Sequence, residues 1–240
     1  FRFLAGPLYL IPFFIITKKK LKIESYGVFA VRILCGVSAM TCLFFAFKYG
    51  NIGKSMIIFQ TATIWTLIYD YVKNNHRPHI YSLWAIPVAF IALVMIIQPQ
   101  QINQVQIGCV LALAGAILNA GVYISLKQLR ENHDTTTIVL VTYISSALIM
   151  LIPNSIAIPA LDLKMLTGLL LMCTIGFIGN LLMTQGFKYT SAGISSLIML
   201  SIIPLTTLSG MILFSESYNT VAWLGVILIV IALSIIARWK

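Results

Sequence analysis

Polar side chains at helical spacing inside apolar runs are the residues of this chain that could do chemistry. Asn119 and Tyr123 stand four apart within 106–126, so a helix puts them on one face. Asn180 and Thr184 repeat that spacing within 165–187, with Gln185 beside them. Gln60 and Thr63, three apart within 53–72, also share a face, and Trp65 follows well inside the run. Ser201, Thr206 and Thr207 flank Pro204 within 191–213, and Tyr143 lies within 137–156. Polar groups in lipid are costly and persist where they meet a cavity or a neighbouring helix. Their chemistry is binding: amides and hydroxyls hydrogen-bond a polar solute, Trp65 can stack on a planar or cationic one, and Pro204 frees a backbone carbonyl. The other reading of each stays open: an interhelical hydrogen bond for the polar pairs, a packed ring for Trp65 and a plain kink at Pro204.

Covalent chemistry is not expected. No carboxylate stands at the centre of a run, and the chain has no Walker A, HExxH or GxSxG sequence. His76 and His79, around a proline in a basic loop, make a poor metal ligand set, so no metal and no cofactor is expected. Cys35, Cys42, Cys109 and Cys173 lie inside apolar runs without CxxC spacing and read as small buried hydrophobes. Arg32 stands five residues into 27–48 and is expected to snorkel to the interface, with gating as the alternative. Asp70 is expected to pair with Lys73 at the interface, with proton coupling as the alternative, and Glu216 ends a helix.

The elements that carry these residues follow from composition. Of 240 residues, 60% are hydrophobic and only 9% charged, and mean hydropathy is +0.97. Such a chain cannot clothe itself for water, so its solvent is lipid. The net charge of +10 sits in short clusters between apolar runs, which points to membrane topology and away from nucleic acid. Nine runs are long enough to cross a bilayer: 1–17, 27–48, 53–72, 80–98, 106–126, 137–156, 165–187, 191–213 and 219–237. Short turns between them imply antiparallel neighbours.

FKYGNIGKSMII (47–58) returns as FKYTSAGISSLI (187–198), offset by 140 and identical at six of twelve positions. At that offset runs one to four match runs six to nine, and the counterpart of 106–126 falls before residue 1. The expectation is an all-α polytopic membrane protein of two five-helix repeats, ten helices in a parent and nine here, with the first helix missing. The repeats would occupy 1–98 and 106–240. Lys18, Lys19, Lys20, Lys22, Lys73, Arg77, Lys127, Arg130, Lys188, Arg238 and Lys240 all fall on one side, which should be cytoplasmic with the C-terminus. Lys48 then falls outside and Lys188 inside, so the repeats are inverted, the usual build of secondary transporters. Small residues at Ala112, Ala116 and Ala120, and at Gly176 and Gly179, are expected to build close helix contacts.

ALAGAILNAGVYISLK (112–127), GFKYTSAGISSLIMLSIIPLTTLSGMILFSESYN (186–219) and AWLGVILIVIALSII (222–236) resemble the EamA repeat of the drug/metabolite transporter superfamily. FRFLAG (1–6) and VRILCGVSAMTCLFFAFKYG (31–50) resemble the second and third helices of the first such repeat. The resemblance implies a central cavity lined here by 27–48, 53–72, 165–187, 191–213 and 106–126. It implies a transporter or facilitator of a small metabolite, such as an amino acid or nucleoside, working by alternating access in the cell (inner) membrane. In this chain the family's usual sixth-helix Trp is replaced around Asn119, and the acidic residue after the ninth helix is Glu216, whose first-half counterpart is His76. The expected partners are a small-molecule substrate and the lipid bilayer, with a homodimer compatible. The rival readings are a membrane-embedded enzyme, which would need a catalytic His, Asp or Glu cluster, and a non-transporting scaffold, in which Asn119 and Asn180 would serve stability alone.

Overall fold

In lipid every backbone amide must find its partner within its own segment or a closed barrel, so apolar runs of this length become helices. The computed structural model describes all residues except 1–2, 4, 19–22, 51, 75–83, 85–86, 89, 93, 96–106, 155–161, 204, 206–207, 209–211, 213–218 and 239–240. The described helices with defined bounds are α1 (Ala5–Thr17), α2 (Tyr26–Tyr49), α3 (Ile52–Gln60), α4 (Ala62–Asn74), α5 (Ile107–Asn132), α6 (Thr135–Asn154), α7 (Leu163–Gly186), α8 (Ala192–Met199) and α9 (Thr220–Arg238). Among the described residues Tyr26–Tyr49, Ile107–Asn132 and Met165–Gly186 are long and apolar enough to cross a membrane. Helical residues also occur at 84, 87–88, 90–92 and 94–95. The expected all-helical membrane architecture is observed.

Two expected helices differ in detail. The run 53–72 is two helices, divided at Thr61. Its amide reaches only to Ile58 O, three residues back at 3.0 Å, and its hydroxyl donates to the same carbonyl at 2.6 Å. Within the run 191–213, α8 stops at Met199 and the chain turns at Leu200 and Ser201. The bonds there are also three-residue ones, Leu200 N to Leu197 O and Ser201 N to Ile198 O, both 3.0 Å.

The chain forms two compact units, Phe1–Val37 with Ile124–Thr190, and Ser38–Tyr123 with Ser191–Lys240. In the first, α1 packs on α6 and α7. Its core is Leu10, Phe14, Val139, Leu140, Tyr143 and Phe177. Gly6 makes the α1–α6 approach possible, since a Cβ there would lie 2.5 Å from Cβ and Cγ of Tyr143. In the second unit, α4 and α9 both pack on α8, around Leu67, Leu197, Leu200, Ile203, Val226 and Ile229. A separate cluster joins Ala39 and Leu43 of α2 to Phe59 of α3, with Leu118 of α5 against it.

The alanine line behaves as expected. Ala112, Ala116 and Ala120 are all buried, and Gly115 beside them faces the Phe59 ring. The glycine line does not. A Cβ added at Gly176 or Gly179 would meet nothing within 4 Å. Only 6% of the most apolar stretch of α7 is buried, against 28% for α2 and α5. Small residues permit a close contact without creating one, and this face of α7 is left open. The four cysteines are free and half-buried, less enclosed than expected.

Candidate functional site

Tyr143, a weaker candidate in the sequence, is a well-connected polar residue of the first unit. It is 2% exposed on α6, with Phe3 and Phe177 set edge-on to its ring at 5.8 and 6.0 Å between centroids. Its hydroxyl accepts a hydrogen bond from Asn180 Nδ2 at 3.2 Å, and Asn180 Oδ1 accepts from Thr184 Oγ1 at 3.3 Å. The expected Asn180/Thr184 face of α7 is therefore real, and it is turned to α6. Thr184 is fully buried and Asn180 half-buried. Also on α7, Thr174 spends its own proton on Leu170 O at 2.8 Å and so accepts from Tyr9 at 2.8 Å.

Arg32 corrects an expectation. It does not snorkel outward: it is 3% exposed, and its Nε donates to Thr142 Oγ1 at 3.3 Å. Thr142 in turn donates to Ile138 O at 2.7 Å, which fixes its lone pairs toward the guanidinium. Arg32, Thr142, Tyr143, Asn180 and Thr184 thus form one polar cluster in which charge and hydroxyls are held inside apolar helices. The adjacency of Thr142 and Tyr143 within the apolar run 137–156 is the sequence signal for it. At the turn between α5 and α6, His133 accepts from the Glu24 amide at 2.9 Å, and Arg130 Nη1 donates to His133 O at 2.6 Å. These ties line a surface pocket of about 320 Å³ with Lys188 and Thr137 at its wall.

In the second unit Asn119 and Tyr123 are hydrogen-bonded to each other and half-buried on α5. Thr63 is 2% exposed and donates to Gln60 O at 2.6 Å, while Gln60 itself is half-buried. Thr66, fully buried, donates to Ala62 O at 2.8 Å. Each of these threonines has spent its proton on the backbone and presents only an acceptor outward. Trp65 is 39% exposed, so it is not a ring locked in the protein core. Ser201 sits at the turn after α8, half-buried. Pro204, Thr206, Thr207, His76, His79 and Glu216 lie outside the described residues.

The Asp70 carboxylate is buried, 5% exposed, and its Oδ2 accepts from the Gly193 amide at 2.7 Å; the side chain of Lys73, its expected partner, lies outside the described residues. Ser191 Oγ accepts from the Ile194 amide at 3.3 Å, so two side chains cap the start of α8. A carboxylate here gains both a charge-assisted hydrogen bond and the positive end of the helix dipole. No sequence signal connects residues 123 apart.

The model of the EamA-like transporter family matches residues 1–98 and 106–238. The chain belongs to that family. Two curated relatives of this EamA chain are pseudopaline exporters CntI of Pseudomonas aeruginosa. The one from strain PAO1 is 24% identical over 213 residues, covering 88% of this chain and 74% of the relative. The one from strain UCBPP-PA14 is 23% identical over the same shares. A crystal structure of another protein superimposes on the whole EamA chain with a TM-score of 0.81 and 13% identity, covering 87% of that protein, and so supports the fold. The chain is a multi-pass membrane protein and a transporter by family.

Proposed function

We propose that this EamA chain is a secondary transporter that moves a small metabolite across the cell (inner) membrane by alternating access of two inverted repeats. The observation that carries the reading is the family match over nearly the whole chain. Polar side chains held inside apolar helices, Asn119 with Tyr123 and Tyr143 with Asn180 and Thr184, support it. The named activity of the two relatives is export, and export of a small polar metabolite is the direction proposed here. The basic loops support a cytoplasmic C-terminus. Substrate contact is assigned to Asn119, Tyr123, Gln60, Thr63, Trp65, Asn180, Thr184, Ser201 and Pro204, with no cofactor required.

The test is counterflow in proteoliposomes with a labelled panel of amino acids, nucleosides and pseudopaline. Saturable exchange of one compound is expected. Asn119→Ala is expected to raise its half-saturation concentration about tenfold or more, the worth of one lost hydrogen bond to a bound polar group, while protein yield and melting temperature stay within error. Exchange that is unaltered in Asn119→Ala would remove this residue from the site. No exchange of any compound by well-folded protein would count against the transporter reading as stated.

A further inference from the structure

Two helices are interrupted at the same step of the repeat. The offset of 140 that aligns the two FKY motifs carries Ile58 onto Ile198 and Thr61 onto Ser201. At both places the amide bonds three residues back, Thr61 to Ile58 O and Ser201 to Ile198 O, each at 3.0 Å. Such tightened turns inside a span mark hinges. Their causes differ. Thr61 pulls its own backbone in through its hydroxyl. In the second half, Pro204 by its chemistry lacks the amide that Leu200 O would accept.

Each hinge adjoins a short rod, α4 of 13 residues and α8 of 8 residues. The rods are pressed together, Leu67 of α4 meeting Leu197 and Leu200 in one buried cluster. At the other end of both rods, away from the hinges, Asp70 receives the Gly193 amide. Gly193 is needed for that approach: a Cβ would lie 2.6 Å from Leu67 Cδ2 and 3.1 Å from Asp70 Oδ2.

We infer that α4 and α8 are the two leaves of a gate, hinged at Thr61 and at Leu200–Ser201 and latched by the Asp70 carboxylate on the Gly193 amide. The inference rests on the transporter reading and adds to it a positioning residue, Asp70, that touches no substrate. The latch is one-sided. The repeat carries Gly193 onto Gly53 but Asp70 onto Gly210, so the equivalent point of the other half has its glycine and no carboxylate. A charge-assisted bond that the repeat does not duplicate favours closure of this mouth at rest. The basic loops place it at the cytoplasmic face.

The gate is tested by cysteine accessibility, with the four native cysteines replaced by alanine. Ser196→Cys puts a thiol on the buried face of α8, where the serine is 1% exposed. A membrane-impermeant maleimide is applied to inside-out and to right-side-out vesicles. With Asp70 present, labelling is expected to be slow from both sides. Asp70→Asn, which replaces the charged acceptor with a neutral one, is expected to speed labelling about tenfold or more, from the cytoplasmic side alone. Ser146→Cys on α6, 2% exposed, is the control for general loosening and should not change. Should Asp70→Asn fail to assemble, Gly193→Ala is read in the same way, since its methyl group wedges the leaves apart. Equal rates with and without the carboxylate overturn the latch. So does a rise shared by Ser146→Cys, or one seen from the outer side. No substrate is used, so a failed latch leaves counterflow standing, and failed counterflow leaves the labelling result standing.

Discussion

Tyr143→Ala is expected to cost about 3–5 kcal/mol of stability, the range for truncating a buried aromatic, with a melting temperature lowered by several degrees in detergent micelles. The ring fills the centre of the Leu10, Phe14, Val139, Leu140 and Phe177 cluster. Helices in lipid are held by close packing, with little hydrophobic drive between them, so the empty volume is felt directly as lost contacts. The same substitution removes the acceptor of Asn180 Nδ2 and leaves that amide facing a void. Tyr143→Phe separates the two contributions. It keeps the ring and removes the hydroxyl, and should cost about 0.6 kcal/mol and at most about 1.7 kcal/mol, as interhelical hydrogen bonds in membranes do. Denaturation in SDS followed by tryptophan fluorescence measures both. Equal losses in the two variants would mean that the hydroxyl network, and not the ring, holds α1, α6 and α7 together.

Gly108→Val is the second large effect. A Cβ at Gly108 would lie 2.7 Å from Gly50 Cα, 2.8 Å from Ala46 O and 2.9 Å from Gly50 N. All three are backbone atoms, so no rotamer change relieves the contact, and the end of α2 must part from the start of α5. Overpacking in a tight core costs about 1–3 kcal/mol and more where the backbone must move, so loss of monodisperse protein on size exclusion is the expected result. Gly176→Ala and Gly179→Ala are the matched controls. Nothing lies within 4 Å of either new methyl group, and alanine gains about 1 kcal/mol of helix propensity over glycine. These variants should be as stable as the parent or better. A well-behaved Gly108→Val protein would show that α2 and α5 do not cross at Gly50.

The pattern of success in the sequence has a physical reason. Apolar runs announce α2, α5 and α7 because lipid demands long uncharged helices, and nothing else in a sequence looks like them. The break at Thr61 is silent, because one tightened turn held by a hydroxyl changes neither hydropathy nor length. Pairs on a single helix, Asn119 with Tyr123 and Asn180 with Thr184, follow from spacing alone. Contacts between helices do not. The sequence shows only the distance of Arg32 from a helix end, while its hydrogen-bond partner Thr142 lies 110 residues away. The alanine and glycine lines look alike as letters, and only packing separates the buried Ala116 from the open Gly179.

The burial of Arg32 has a consequence for how the protein is made. An arginine seven residues into a membrane helix is costly to leave in lipid, by at most the about 2.5–3.5 kcal/mol that insertion scales give at a helix centre. Its hydrogen-bond partner Thr142 emerges from the ribosome 110 residues later. At the usual pace of about 5–20 residues per second, α2 waits several seconds for α6. During that interval the guanidinium must be sheltered by the insertion machinery or by headgroups, and the first unit closes only when α6 arrives. Slowing translation between α2 and α6 is therefore expected to prolong the exposed stage more than slowing it after α6.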